Sequence, residues 1–423
     1  MRTRRKNASS SSAKNRLYLV LSRFQSVSCQ LEMLRNAGPK PDVRAILQDI
    51  PKTLDETYER ILKKINEKDR NHACRLLHCL AVAVRPLRVE ELAEILTFDF
   101  DGAQGGIPKF RADWRPIDKE ATVLSMCSTL ISIVDQEGDR LVQFSHPSVK
   151  EFLTSTHPAS LTGDLSQFHI LPASAHTILA QASLGFLLHL GDRNDDTSVK
   201  NSPLAEYAAR HWVTHAQFEG VALRVMDGIK SLFDQDRPHF AAWIELYDID
   251  AESGRKLPSE TPSPLYYSAL CGFHDLVRHL AVRNPQHVNA IGGSYGFPLV
   301  AALCRSHLRA AELLLEHGAN VHVRDTKKQT ALHMAIDRHE NVSTDSFQFL
   351  LKRGVDVNAQ RDDLWTPLHV ASYFGKPAIA EILLDHGANA SAETDNGETP
   401  LHVVSIARGE SDSEDNGATK GRV

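Results

Sequence analysis

The sequence predicts a mostly α-helical chain of 423 residues, with a small helical domain carrying a β-hairpin toward its front and a stack of helical pairs at its end. Three observations predict this. A short motif returns about every 33 residues from residue 264 onward, amphipathic helical stripes run from residue 54, and one hairpin signal interrupts the helical pattern near residue 137.

Length and composition bound the rest. At about 150 residues per domain, the chain holds roughly three units. Its 42% hydrophobic, 24% charged and 7% aromatic residues are ordinary for globular chains and exclude a disordered polyampholyte. With 48 basic and 53 acidic side chains, the net charge of −5 leaves no excess positive field, so nucleic acid is not an expected partner. No apolar run approaches the roughly 18 residues of a membrane span, so no membrane partner is expected either. The six cysteines sit mostly inside apolar helical runs and read as reduced thiols, which implies a cytoplasmic compartment with a nuclear one as alternative.

Residues 1–40 read as a disordered basic leader. Met1 to Leu31 hold seven Lys or Arg and seven Ser, and the first acid is Glu32. A mitochondrial transit peptide shares that composition; the loose basic arm is the expectation. After the Pro39 to Pro41 break, residues 41–69 form a helical segment. Thr53 and Glu56 make a capping box, and Leu54, Tyr58, Ile61, Leu62 and Ile65 place one apolar stripe on the helix that follows.

Residues 70–158 spell a winged helix. Ala73 to Val84 form a helix stopped by Pro86, Val89 to Leu96 a second, and Thr122 to Ser128 a third, after an exposed Gly-rich loop at Asp101 to Gly106. Leu130 to Val134 and Arg140 to Phe144 flank the turn Asp135 to Asp139 as a wing, and Ser148 with Glu151 is expected to cap the closing helix. Glu90, Glu91, Glu94, Asp118, Glu120, Asp135, Glu137 and Asp139 lie where DNA would dock and would repel phosphate, so this winged helix is expected to pack against protein.

The runs Ile50 to Leu62 and Phe144 to Leu153 resemble the segment that follows the NTPase in NACHT-ankyrin proteins of filamentous fungi, and the winged helix looks like that of GPI inositol-deacylase-like fungal proteins. In the wider nucleotide-switch family, the resemblance implies a phosphate-contacting histidine in a Phe-x-His-x-Ser pattern, which His146 occupies. No G-x-x-x-x-G-K-[ST] phosphate loop occurs in this sequence. No cofactor is therefore expected, and His146 would sense nucleotide only on an NTPase module supplied in trans; its simpler role is a histidine opening a helix after a strand.

Residues 159–258 form a helical connector. Ile178 to Leu188 continue the helical packing, Asp192 to Ser202 is a polar linker, and Tyr207, Trp212 and Trp243 are expected in the core. The run Pro203 to Trp212 again resembles the fungal NACHT-ankyrin proteins.

Residues 259–407 carry about four and a half repeats. Pro264, Pro298, Ala331, Pro367 and Pro400 hold matched places in Ser-Pro-Leu-Tyr, Phe-Pro-Leu-Val, Thr-Ala-Leu-His, Thr-Pro-Leu-His and Thr-Pro-Leu-His, at steps of 34, 33, 36 and 33. This is the ankyrin period, and the resemblance to ankyrin repeats covers about residues 260 to 407. Thr or Ser caps each inner helix, Pro fixes φ where no donor is lost, and Gly318, Gly354 and Gly387 allow a left-handed end to the outer helices. His333, His369 and His402 come once per repeat and are expected to bond within their own turn, so no metal site is read from them. Arg305 to His307 and the longer turn at Asn341 to Ser346 are expected to loosen the second and third repeats. After Ile406 the chain becomes a disordered acidic tail, 408–423, so either the array frays here or the chain was cut from a longer array, as the missing NTPase motif also suggests.

A concave repeat surface binds through its hairpin tips and inner helices. The partner-binding candidates are Lys327 and Lys328 on one tip, Asp363 and Trp365 on the next, and Tyr373 and Phe374 on the inner helix. The expected function is a non-catalytic protein-interaction scaffold or adaptor, the remnant or fragment of a NACHT-ankyrin signalling receptor, with a protein ligand on the concave face and an effector or NTPase module at the winged helix. The alternative is the regulatory half of an NTPase switch acting through His146. No Ser, Cys or paired carboxylate stands in an activating motif, so no catalytic residue is named.

Overall fold

A computed structural model describes residues 53–102, 106–155, 163–192, 202–251, 262–338 and 343–404. The basic leader, residues 41–52 and the acidic tail lie outside the described residues. The chain divides into two compact units, Met1–Leu232 and Phe233–Val423.

In the first unit, helix α1 (Leu54–Lys64) is capped by Thr53, whose side chain accepts the Glu56 N–H at 3.2 Å, and buries Tyr58, Ile61 and Leu62. Helix α2 (Arg70–Val82) buries Ala73, Leu76 and Leu77. Strand β1 (Leu87–Arg88) leads into α3 (Val89–Glu94). Short strands β2 (Phe98–Asp99) and β3 (Lys109–Phe110) pair across the predicted Gly-rich loop, giving Phe98 and Phe110 a mutual contact at 5.3 Å. Helix α4 (Lys119–Cys127) precedes the wing, strands β4 (Ile131–Gln136) and β5 (Asp139–Phe144).

The wing's turn is tighter than expected. Pairing continues to Gln136 and Asp139, leaving only Glu137 and Gly138, at φ 53° and 95°, to reverse the chain. Positive φ at both centres matches the twist of the flanking strands. A third strand was not expected: β1 pairs with β5, so the sheet order is β1-β5-β4.

Helix α5 (Pro147–Thr154) closes the wing, and its cap differs from the expectation. His146 is the N-cap, its Nδ1 accepting the Ser148 N–H at 3.2 Å, while Ser148 lies inside the first turn. With Pro147 at the first helical position, the cap must precede it. Ser148 instead bonds Tyr58 at 2.8 Å, tying α1 to α5.

Helix α6 (Pro172–Asp192) packs against α2 and α7 (Ala205–Ala216), followed by α8 (Val221–Arg224) and α9 (Met226–Leu232). Tyr207 and Trp212 are wholly buried there, as expected. The connector's residues fall in both units, α6 to α9 in the first and α10 (His239–Leu246) in the second. The docking-face reading of the acids needs correction at two positions. Glu91 and Glu94 are buried, Glu91 held by Arg85 (2.6 Å) and Arg88 (3.0 Å) and Glu94 by Arg115, so they are internal ion pairs. Burial alone would raise the Glu91 carboxyl; hydrogen bonds and charge from Arg85 and Arg88 outweigh it and hold the group below its ordinary range.

In the second unit, the Phe240 and Trp243 rings of α10 close on Tyr267 at 5.3 and 6.1 Å. Four inner and outer helix pairs follow: α11 (Pro264–Leu270) with α12 (His274–Arg283), α13 (Pro298–Cys304) with α14 (Leu308–Glu316), α15 (Ala331–Arg338) with α16 (Thr344–Leu351), and α17 (Pro367–Tyr373) with α18 (Pro377–Asp385). A fifth inner helix starts at Pro400. The outer helices end at Gly318, Gly354 and Gly387 with φ of 90°, 76° and 86°.

The expected loosening of the second repeat does not occur at its turn. Ser306 adopts the left-handed φ of 62° that Gly272 and Gly375 adopt in the first and fourth repeats, so the chain path is preserved at the cost of strain. In the third repeat, Asn341 and Val342 lie outside the described residues. Ser343 caps α16 through the Asp345 N–H (3.1 Å), and Ser346 is buried and donates to the Leu303 carbonyl at 2.8 Å, so residues 343–346 are an ordered helix start. Five cysteines are free thiols among the described residues, four of them buried and Cys74 half-buried.

Candidate functional site

The hairpin tips of the third and fourth repeats are each built by a side chain folding back on its own backbone. Asp325 accepts the N–H groups of Lys327 and Gln329, both at 2.9 Å. In the next tip, Asp363 accepts from Arg361 at 2.6 Å and from the Trp365 N–H at 3.3 Å. The Arg361 guanidinium and these bonds hold the Asp363 carboxyl below the usual carboxylate range, against the opposing effect of its partial burial.

The repeat histidines lock tips to helices. Nδ1 of His333 contacts Thr330 Oγ1 at 2.8 Å and accepts the Thr330 N–H; His369 does the same with Thr366 at 2.9 Å, and His402 with Thr399 at 3.0 Å. With Nδ1 an acceptor, Nε2 carries the proton and donates to the next repeat, His333 to the Trp365 carbonyl and His369 to the Glu398 carbonyl, each at 3.0 Å. All three bond within their own turn, as expected, and His333 and His369 bridge to a neighbour as well.

Three of the six partner-binding candidates form one surface. Trp365 meets Tyr373 edge to face at 5.7 Å, and Tyr373 meets Phe374 at 5.2 Å. Arg361 covers one face of Trp365 at 4.6 Å, and Phe374 is 43% exposed. The inner helices α11 and α13 are wholly buried, so this aromatic exposure belongs to the fourth repeat. Lys327 and Lys328 stand on the adjacent tip. Lys328 is engaged: its Nζ lies 2.8 Å from Asp362. Asp363 acts within its tip, orienting Arg361 on Trp365.

One residue escaped the sequence reading. Leu364 lies in the left-handed region at φ 57° while 41% exposed. For a bulky side chain that conformation costs about 1–2 kcal/mol, and exposure of an apolar group adds nothing to stability. The signal was in the repeat: three residues ahead of the inner helix stand Lys328, Leu364 and Gly397, and only the last is suited to positive φ.

In the first unit, His146 Nδ1 contacts Ser148 Oγ at 2.6 Å as well as its N–H, and Ser148 Oγ meets Tyr58 OH, so the ring is fixed by its role as a cap. Nδ1 accepts, and the proton therefore sits on Nε2. The most perturbed histidine, His215, is pushed down to about 3 by burial, with His176 and His211 beside it, and bonds His176 and Tyr207 inside packed helices. Among the described residues, no group of three or more His, Cys, Asp or Glu could hold a metal, and no helix is long and apolar enough to cross a membrane.

Residues 265–361 and 332–412 match ankyrin repeats in three copies, and residues 58–169 match the GPI inositol-deacylase winged helix domain. The chain carries a winged helix domain and ankyrin repeats. Azaphilone pigments biosynthesis cluster protein L of Monascus ruber is 31% identical over 297 residues, covering 65% of this chain and 61% of that protein. Vegetative incompatibility protein HET-E-1 of Podospora anserina is 28% identical over 135 residues, 31% of this chain and 9% of that protein. An ankyrin repeat and SOCS box protein 11 of Danio rerio is 43% identical over 86 residues, 20% of this chain and 28% of that protein. The chain therefore spans about three fifths of the first of these relatives and far less of the others. The pairing of winged helix and ankyrin repeats, with fungal relatives, fits the NACHT-ankyrin architecture. Both matched families are non-catalytic, and ankyrin repeats are protein-interaction modules.

Proposed function

We propose that this protein is a non-catalytic adaptor that grips a protein partner with the fourth ankyrin repeat. The observation that carries the reading is the contiguous Trp365, Tyr373 and Phe374 surface beside the strained, exposed Leu364. Rigid aromatic anchors lose little conformational entropy on docking, and here the half-buried Trp365 and Tyr373 back an exposed Phe374. Lys327 on the neighbouring tip supplies a charged rim. The winged helix docks a second module, which makes the chain a scaffold between the two, in keeping with an adaptor or receptor remnant of the NACHT-ankyrin kind. Phe374→Glu should weaken a partner isolated from the source cells and then purified by at least about thirtyfold, the scale of a hot-spot residue. Lys352→Glu, at the exposed C-cap of outer helix α16, should leave it unchanged; equal affinity for wild type and Phe374→Glu would end the reading.

A second reading rests on His146. Its cap leaves Nε2–H as the donor toward a phosphate held by a separate NTPase chain. It requires ATP or ADP to change the affinity for that chain, and His146→Ala to abolish the change while the winged helix stays folded.

A further inference from the structure

Neighbouring repeats are joined by polar links that recur at matched positions, and among the described residues the junction between the second and third repeats lacks three of them. The fourth residue of the inner-helix motif is Tyr266, Val300, His333, His369 and His402 in turn. Tyr266 OH receives the Tyr295 N–H of the second repeat at 3.1 Å, His333 reaches the fourth repeat and His369 the fifth, each at 3.0 Å. Val300 is fully buried and has no polar atom to offer the third repeat.

The outer side shows the same gap. Asn289 donates to the Gly318 carbonyl at 2.9 Å and accepts the Asn320 N–H at 2.8 Å, stitching the first repeat to the second. Asn358 repeats the pattern on Gly387 (3.0 Å) and Asn389 (2.7 Å), stitching the third to the fourth. The matched residue of the second repeat is the exposed His322, and among the described residues it makes no bond to Gly354 or Asp356. Outer helices α12 and α14 pack side by side, as do α16 and α18, whereas among the described residues the contact of α14 with α16 is slighter. Tip rungs follow suit: Asp362 N–H reaches Lys327 and Asp395 N–H reaches Asp363, while Thr326 forms no such rung among the described residues. What holds the junction on its inner side is the packing of α13 on α15 and the Ser346 to Leu303 bond.

The stability of a repeat array is a sum of repeat terms and nearest-neighbour interface terms, so the junction with the fewest links is where the array yields. We propose that the junction between the second and third repeats is a hinge, with repeats one and two moving as one block and repeats three to five, which carry the aromatic surface, as another. The pivot is the inner layer at α13 and α15, and motion opens the outer side between α14 and α16. The inference is independent of which partner the aromatic surface binds.

Hydrogen exchange of the full chain across mild urea concentrations tests it. Peptides from 264–316 and from 343–399 should lose protection at separate urea concentrations. His322→Asn, a surface change that rebuilds the stitch, should draw the two transitions together and slow opening about fivefold per hydrogen bond regained. Asn358→Ala should instead release 377–399 ahead of 343–351. A single coincident transition in the wild type, or separate transitions that His322→Asn leaves where they were, would overturn the hinge.

Discussion

His333 makes the repeat array acid-sensitive in a way that can be calculated. The side chain is fully buried, and that burial is the main reason its imidazole falls from the ordinary 6.5 to about 4, with the charges of Arg361 and Arg324 adding to it. The bond to the Trp365 carbonyl opposes the shift but does not cancel it. Because the folded value is the lower one, the unfolded chain takes up a proton first as pH falls. Stability from this residue is complete above about pH 6.5 and drains away toward pH 4. At pH 5 the loss amounts to about 2 kcal/mol, or roughly thirtyfold in the opening equilibrium of the third repeat. Hydrogen exchange of peptides covering α15, compared at pH 7.5 and pH 5.0 after correction for intrinsic exchange, reads this directly. His333→Gln should be less stable at pH 7.5, since it loses the Thr330 and Trp365 bonds, yet lose about 2 kcal/mol less than wild type on going to pH 5.0. Identical pH dependence in the two proteins would refute the reasoning.

Leu364→Gly should raise the stability of the fourth repeat by about 0.5–1 kcal/mol in urea denaturation, because it relieves the left-handed strain, while weakening the partner at least about tenfold. A stability loss would mean that Leu364 packs and does not wait for a partner. Glu91→Gln should cost the first unit about 2–3 kcal/mol in a denaturant melt, since Arg85 and Arg88 lose their counter-charge; a change under about 0.5 kcal/mol would show that solvent already screens the pair. Leu383→Ala should cost about 2–5 kcal/mol and its neighbour Leu384→Ala under about 1 kcal/mol, since the first is fully buried and the second 47% exposed. Equal costs would place the apolar seam of α18 elsewhere.

The repeat array was legible because its signals are local and redundant. Thr366, Pro367 and His369 specify a cap, a helix start and a bond within one turn, and Gly387 specifies the end of the outer helix. The wing was legible from the polar turn around Gly138 between two apolar runs, but the tightness of that turn was not, since Asp135 and Asp139 look like turn residues although both pair in the ladder. Strands β1, β2 and β3 have two residues each, too short to show a period, and tertiary pairing alone makes them strands. Glu91 and Glu94 read as solvated acids because nothing local reveals that Arg85, Arg88 and Arg115 fold over them. At the candidate surface, Trp365, Tyr373 and Phe374 were found as residue types at tip and helix positions. Their contact as one patch required the fold, and Leu364 was missed because its strain is a property of φ.

The deciding experiment is site-specific photo-crosslinking in the source cells, with a benzophenone side chain placed at Phe374 and, as control, at the 69% exposed Leu223 of the first unit. A partner gripped by the fourth repeat predicts one discrete protein adduct from position 374, lost when Leu364→Gly is added, and none of that size from position 223. The same adducts from both positions, or an adduct from 374 indifferent to Leu364→Gly, would contradict it.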